Sequence, residues 1–125
     1  MKILLLIGSG SFVGGILRYL LSQILQTKTP SIFPLGTLGV NVLGCFLIGL
    51  VIGFMDRGTL ASEWRVFLAT GLLGGFTTFS AFSMESVNLM KEGQAGYALI
   101  YIGLSVFLGL AATYVAYSTI TGRND

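Results

Sequence analysis

The sequence predicts an all-α membrane protein with four transmembrane helices per subunit, the third of them broken at mid-membrane. Composition is the first reason. Of the 125 residues 54% are hydrophobic and only 10% charged, with a mean hydropathy of +0.86. A soluble domain carries about a quarter charged residues, so this chain lacks the polar groups to cover its own surface against water. The second reason is four long apolar stretches separated by short polar punctuation. The third is a cluster of glycines and β-branched residues in the middle of one stretch, where a helix is weakest.

The first stretch runs from about Ile3 to Leu25, with Arg18 as its one charge. No Ala occurs before Ala61, so an A-x-A cleavage site is absent and the segment reads as a retained helix. Thr29-Pro30 and Phe33-Pro34 stop it and start the second stretch. That one, Leu35 to Met55, is uncharged and ends at Asp56-Arg57-Gly58. The third runs from Ser62 to Met90 and ends at Lys91-Glu92-Gly93. The fourth, Gly96 to Ile120, is uncharged and leaves Arg123-Asn124-Asp125 outside the membrane. The four spans use most of the chain, so residues 1–125 read as one transmembrane domain. Each reaches the ~20 residues that a bilayer core requires.

Charge gives little orientation. The N-terminus, the second loop and the C-terminus share one side with Lys2, Arg57, Arg65 and Arg123; Lys28 and Lys91 lie on the other, with Arg18 leaning toward it. Topology follows the Lys/Arg bias, and so small a bias permits insertion both ways, with subunits pairing antiparallel. The net charge of +2 points to no nucleic acid. There is no His and a single cysteine, Cys45, which excludes an internal disulfide and a Cys/His metal cluster and reads as a small packing residue. No nucleophile–base pair is present, so the chain does not read as an enzyme. Gly10/Gly14, Gly49/Gly53 and Gly71/Gly75 are spaced four apart, which lets helix backbones approach closely.

The third span is longer than a bilayer core requires, about 43 Å at ~1.5 Å per residue. Near its centre stands Gly74-Gly75-Phe76-Thr77-Thr78-Phe79-Ser80-Ala81-Phe82-Ser83. Adjacent glycines followed by two threonines predict a break over Gly74 to Thr78. Unpaired backbone in lipid is costly and persists only if it is buried in protein, binds an ion or lines a wet cavity. Freed carbonyls suit a hard cation such as Na⁺, whereas hydroxyls and helix N-termini suit an anion. A glycine kink packed on a neighbour is the plainer alternative. Phe76, Phe79 and Phe82 recur at helical spacing and alternate with hydroxyls; ring edges are electropositive, so such a lining favours an anion. Thr37 and Asn41 share a face of the second helix, and Tyr97, Tyr101 and Ser105 are stacked on the fourth. Asn41 either faces the ion path or joins two helices. Arg18 either snorkels to the interface or draws anions to a pore mouth. Glu85 either pairs with a cation or is protonated.

These residues resemble the Fluc (CrcB) family of fluoride channels along nearly the whole chain. The likeness rests on Gly15-x-x-Arg18-Tyr19, on Gly36-Thr37-Leu38-x-x-Asn41-x-x-Gly44, and above all on Gly74 to Ser83 with Glu85 following; Ala81 stands where some members carry threonine. The resemblance implies a fluoride-specific channel that lets fluoride leave the cell passively, lowering cytoplasmic fluoride and giving resistance to it, in a bacterial inner membrane. It implies an antiparallel, dual-topology homodimer with two pores at the subunit interface. It also implies a central structural Na⁺ held by the backbone carbonyls of Gly74 and Thr77 from each subunit. Phe79 and Phe82 match the family's paired phenylalanines, Asn41 its pore asparagine, and Thr37, Ser80, Tyr101 and Ser105 its polar track. The competing class is a small four-helix multidrug or metabolite antiporter, which wants a carboxylate at mid-membrane; only Glu85 is a candidate, and it lies off-centre. A non-transporting scaffold subunit would not need the hydroxyl-rich aromatic break.

Overall fold

A computed structural model describes residues 1–28 and 31–122. The proposed stop at Thr29-Pro30 and the polar tail Arg123-Asn124-Asp125 lie outside the described residues. Among the described residues, four helical segments are long and apolar enough to cross a membrane: Lys2–Lys28, Leu35–Asp56, Ser62–Lys91 and Ala95–Thr121. The protein is thus all-helical and multi-pass. The first helix runs three residues past its expected end at Leu25, because Gln26 is used there. Its Nε2 donates to the Ser31 and Phe33 carbonyls (3.1 and 3.2 Å) and its Oε1 accepts from the Gly36 amide at 2.9 Å. One side chain thereby closes the turn and serves an orphan amide of the next helix.

We label Lys2–Lys28 α1, Leu35–Asp56 α2, residues 62–76 α3, Phe79–Lys91 α4 and Ala95–Thr121 α5. Segment α3 is uneven: Val66–Leu72 winds as a wide π turn before Leu73–Phe76 returns to α geometry. Thr77 and Thr78 are then extended, with φ/ψ of −87°/158° and −149°/120°. Thr78 caps α4 by accepting the Ala81 amide on its hydroxyl at 3.2 Å. Helix α4 ends in a Schellman-type turn with Gly93 at φ +76°; the Gln94 amide reaches the Leu89 carbonyl at 2.8 Å.

Glycine sets which helices meet. A Cβ on Gly14 would strike the Leu72 carbonyl, and one on Gly75 would sit 2.6 Å from the Ser11 carbonyl, so α1 and α3 pack backbone to backbone. Gly49 and Gly53 likewise admit Ala116 and Ile120 of α5 against α2. The tie between α2 and α5 is reinforced at one end, where Tyr117 donates to the Asp56 carboxylate and Arg57 donates to the Ile120 carbonyl at 3.0 Å. Lys2 pairs with Glu63 at that same end, at 3.2 Å on an exposed surface; such a pair contributes little stability. Two small cores result, Leu38–Leu89–Ala98–Tyr101 and Val40–Val51–Leu73–Phe76. Much of the remaining apolar surface faces outward, as lipid or a partner requires.

Candidate functional site

The extended pair Thr77-Thr78 rearranges the hydrogen bonding of its neighbourhood. In a continuous helix the Thr78 amide would bond the Gly74 carbonyl, and the Ala81 amide the Thr77 carbonyl. Here the Thr78 amide bonds Asn41 Oδ1 at 2.9 Å, and Asn41 Nδ2 donates back to the Thr78 carbonyl at 3.0 Å. The Asn41 amide therefore pairs with a peptide unit as a neighbouring strand would. The Ala81 amide goes to the Thr78 hydroxyl. The donors that a regular helix sends to the Gly74 and Thr77 carbonyls are thus engaged elsewhere. The Gly75 carbonyl, whose regular donor would be Phe79, accepts instead from Arg18 Nε at 3.3 Å.

Beside this backbone lies an open groove of about 420 Å³, lined by Asn41, Thr77, Thr78, Phe79, Phe82 and Ser105 among others. It is apolar with a few hydroxyls. Phe79 is 78% exposed and Phe82 half-buried; their rings lie 5.5 Å apart at 47°. Phe82 continues to Tyr101 at 5.2 Å, and Tyr101 to Phe33 edge-on at 5.6 Å. Phe76 does not belong to this row. The interruption removes the helical register that would align it with Phe79, and Phe76 is buried with Val40, Val51 and Leu73. Ser80 is exposed and its hydroxyl lies 3.3 Å from that of Thr78. The Ser105 hydroxyl is buried with no hydrogen-bond partner among the described residues, a costly state for a polar atom.

Glu85 is held by two hydroxyls. Thr37 donates to Oε2 and Tyr101 to Oε1, each at 2.9 Å. Thr37 is 6% and Tyr101 0% exposed, so both donors are fixed by packing. Each carboxyl oxygen of Glu85 thus has a hydroxyl donor. Tyr101→Phe removes one of these donors and is expected to lower stability by about 0.5–3 kcal/mol, read as a drop in the thermal midpoint of the solubilised protein; an unchanged midpoint would show the bond to be dispensable. Glu85 also borders a second, more polar pocket of about 320 Å³ with Gln23, Gln26, Asn88 and Glu92.

Of the residues singled out in the sequence, Asn41, Phe79, Phe82 and Ser105 meet at the groove together with Gly74 and Thr77. Thr37 and Tyr101 sit one step away at Glu85, linked to the groove through the Phe82 ring. Tyr97, half exposed, lies edge-on to Phe33 at 6.3 Å and lines neither pocket. The contacts of Arg18 and Asn41 with the interrupted backbone had no local signal: their partners are 57 and 37 residues away.

Comparison with known proteins gives a consistent picture. The family described as "CrcB-like protein, Camphor Resistance (CrcB)" matches residues 5–117. A protein of Flavobacterium psychrophilum named "Fluoride-specific ion channel FluC" is 44% identical over 115 residues, covering 91% of this chain and 93% of its own. A namesake in Thermus thermophilus is 46% identical over 113 residues, 90% of each chain. That of Rhizobium meliloti is 45% identical over 115 residues, covering 91% and 92%.

Proposed function

The chain belongs to the CrcB family, and from that membership we propose that it is a fluoride-specific channel through which fluoride leaves the cell passively, relieving the cytoplasm of it. The observation that carries this reading is the close likeness, over nine-tenths of the chain, to relatives named as fluoride channels. Those relatives are named as ion channels, and enzymatic chemistry has no support here. The antiporter alternative wants an available carboxylate, whereas Glu85 is already bonded by two buried hydroxyls.

Fluoride holds its water tightly, so a conducting path must replace that water with close donors and be narrow enough to refuse larger halides. The groove offers such donors. Ring edges of Phe79 and Phe82 are electropositive. Asn41 Nδ2 has two hydrogens, of which the Thr78 carbonyl takes one. The buried Ser105 hydroxyl has a hydrogen to give, and Ser80 extends the series, whereas Tyr101 and Thr37 give their hydroxyl hydrogens to Glu85 behind the Phe82 ring. The functional unit in this reading is an antiparallel homodimer in the bacterial inner membrane, with two fluoride paths. The small Lys/Arg bias and the outward exposure of Phe79 support it, because a 78% exposed ring beside an open, largely apolar groove is a surface that a second subunit can cover. The carbonyls of Gly74 and Thr77, stripped of helical donors, are neutral hard oxygens of the kind Na⁺ prefers. In the dimer they would hold one structural Na⁺, whose charge binds the two interrupted helices together.

The test is efflux from liposomes carrying the purified protein. Fluoride is expected to leave rapidly and chloride at background rate; equal rates, or no efflux of either, would overturn the reading. Phe79→Ile and Phe82→Ile are each expected to lower fluoride efflux by about tenfold or more, since the aliphatic side chain has no electropositive edge. Unaltered efflux in both would remove the phenylalanines from the path.

A further inference from the structure

We infer that Arg18 is a positioning residue that holds the interrupted third span through Nε on the Gly75 carbonyl, and that its positive charge is not what the site uses. The inference deepens the channel reading and rests on it for its flux consequences alone.

Position comes first. Gly10, Gly14 and Arg18 are spaced four apart and form one stripe on α1. The two glycines lie against the backbone of residues 71 and 72, so α1 follows α3 at the closest approach that main chains permit. Arg18 stands one turn further along, where α3 gives out. Ser11 Oγ, on the neighbouring row of α1, donates to the Gly71 carbonyl at 3.3 Å. Arg18 Nε donates to the Gly75 carbonyl one turn later, also at 3.3 Å. The two contacts differ in necessity. Gly71 lies inside a helical run, whereas Gly75 has lost the Phe79 amide to the extended pair that follows it. A carbonyl without a donor at membrane depth is costly, and Arg18 supplies the missing hydrogen.

The bond also uses a particular atom. Nε is the inner nitrogen of the guanidinium, so the side chain is anchored below its charged fork. Arg18 does not line the groove at the interruption. A residue serving as an electrostatic lure would present its guanidinium to the ion path; this one directs the Nε edge of its guanidinium to the Gly75 carbonyl. By fixing Gly75 it fixes the carbonyl planes on either side, including that of Gly74.

Chemistry separates the two roles cleanly. In Arg18→Gln, Nε2 stands the same number of bonds from the backbone as Arg Nε, so the donor remains and the charge is lost. In Arg18→Lys the charge remains and a methylene occupies the donor's place. In Arg18→Met both are lost. The direct readout is the Gly75 carbonyl ¹³C resonance of the full chain in nanodiscs. Labelling Gly carbonyls with ¹³C and Phe amides with ¹⁵N reports only Gly53-Phe54 and Gly75-Phe76, the two Gly-Phe pairs in the sequence. Lys and Met are expected to shift the Gly75 signal and leave that of Gly53 alone, while Gln keeps Gly75 near its parent position. Fluoride efflux should fall about tenfold in Lys and Met and recover in Gln to within about threefold of the parent. Where a variant is too unstable for spectra, the thermal midpoint gives the same ordering: Gln above Lys and Met supports the inference, Lys above Gln overturns it. A Gly75 signal that is identical in all variants, or efflux restored by Lys and not by Gln, overturns it as well. Parent protein that fails to pass fluoride while the carbonyl pattern holds would sink the channel reading and leave this inference standing.

Discussion

Asn41→Ala is expected to abolish fluoride efflux and to destabilise the fold by up to about 2–6 kcal/mol, since it leaves two part-buried backbone groups without their side-chain partner at up to about 1–3 kcal/mol each. The Asn41 side chain satisfies both the amide and the carbonyl of Thr78, at 2.9 and 3.0 Å. In water those groups would find solvent. In an apolar span they have none, and the loss is comparable to the whole stability of a small protein. The thermal midpoint and the elution profile in detergent measure the fold, and liposome efflux measures the function. Asn41→Asp separates the two. Its carboxylate still accepts from the Thr78 amide, yet it opposes the Thr78 carbonyl and places a negative charge beside the path. Repulsion between two unit charges 4 Å apart is about 4 kcal/mol at an effective dielectric of 20, so Asp is expected to stop efflux at a smaller loss of midpoint than Ala. An Ala variant that keeps its midpoint and conducts would show that the Asn41–Thr78 pair contributes nothing.

Gly14→Ala is the second large effect. The added methyl group would strike the Leu72 carbonyl and lie 3.0 Å from the Phe76 amide. Both obstacles are main chain, so no rotamer change relieves them, and α1 must move off α3. Overpacking against side chains costs about 1–3 kcal/mol, and a backbone clash lies at or above the top of that range. Separation also pulls Arg18 from Gly75, so efflux should be lost with the midpoint. Gly8→Ala on the same helix is the control. A methyl group there meets nothing within 4 Å and should stabilise by up to about 1 kcal/mol through helix propensity alone. Equal midpoints for the two variants would refute the close packing of α1 on α3.

Hydropathy alone located the four spans, because apolar length and polar punctuation are local properties. The helix ends moved by a few residues where a side chain did unforeseen work, as Gln26 does at the α1–α2 turn. Gly74, Gly75, Thr77 and Thr78 advertised a weak helix, and the extended residues fall within that window. The consequence for Phe76 was missed: a stripe counted at helical spacing holds only while the helix continues, and Phe76 turns into the core once it stops. The π turn over Val66–Leu72 was not anticipated either: Thr70 and Gly71 lower its helix propensity but do not specify a wide turn. The contacts that tie the interruption to the other helices are distant in sequence. Thr37 and Asn41 share a face, but their partners Glu85 and Thr78 lie 48 and 37 residues on. Composition supplies the donors; only the fold decides which of them are left over.

The dependence of the third span on Arg18 and Asn41 reaches back to biosynthesis. Both residues precede that segment in the chain, so a ribosome delivers the two helices that bear them before the segment itself leaves the translocon. Residues 74–78 therefore emerge into a membrane that already holds their hydrogen-bonding partners. Were the gene permuted so that the third span came first, the same stretch would enter lipid with its amides and carbonyls unserved until the rest arrived.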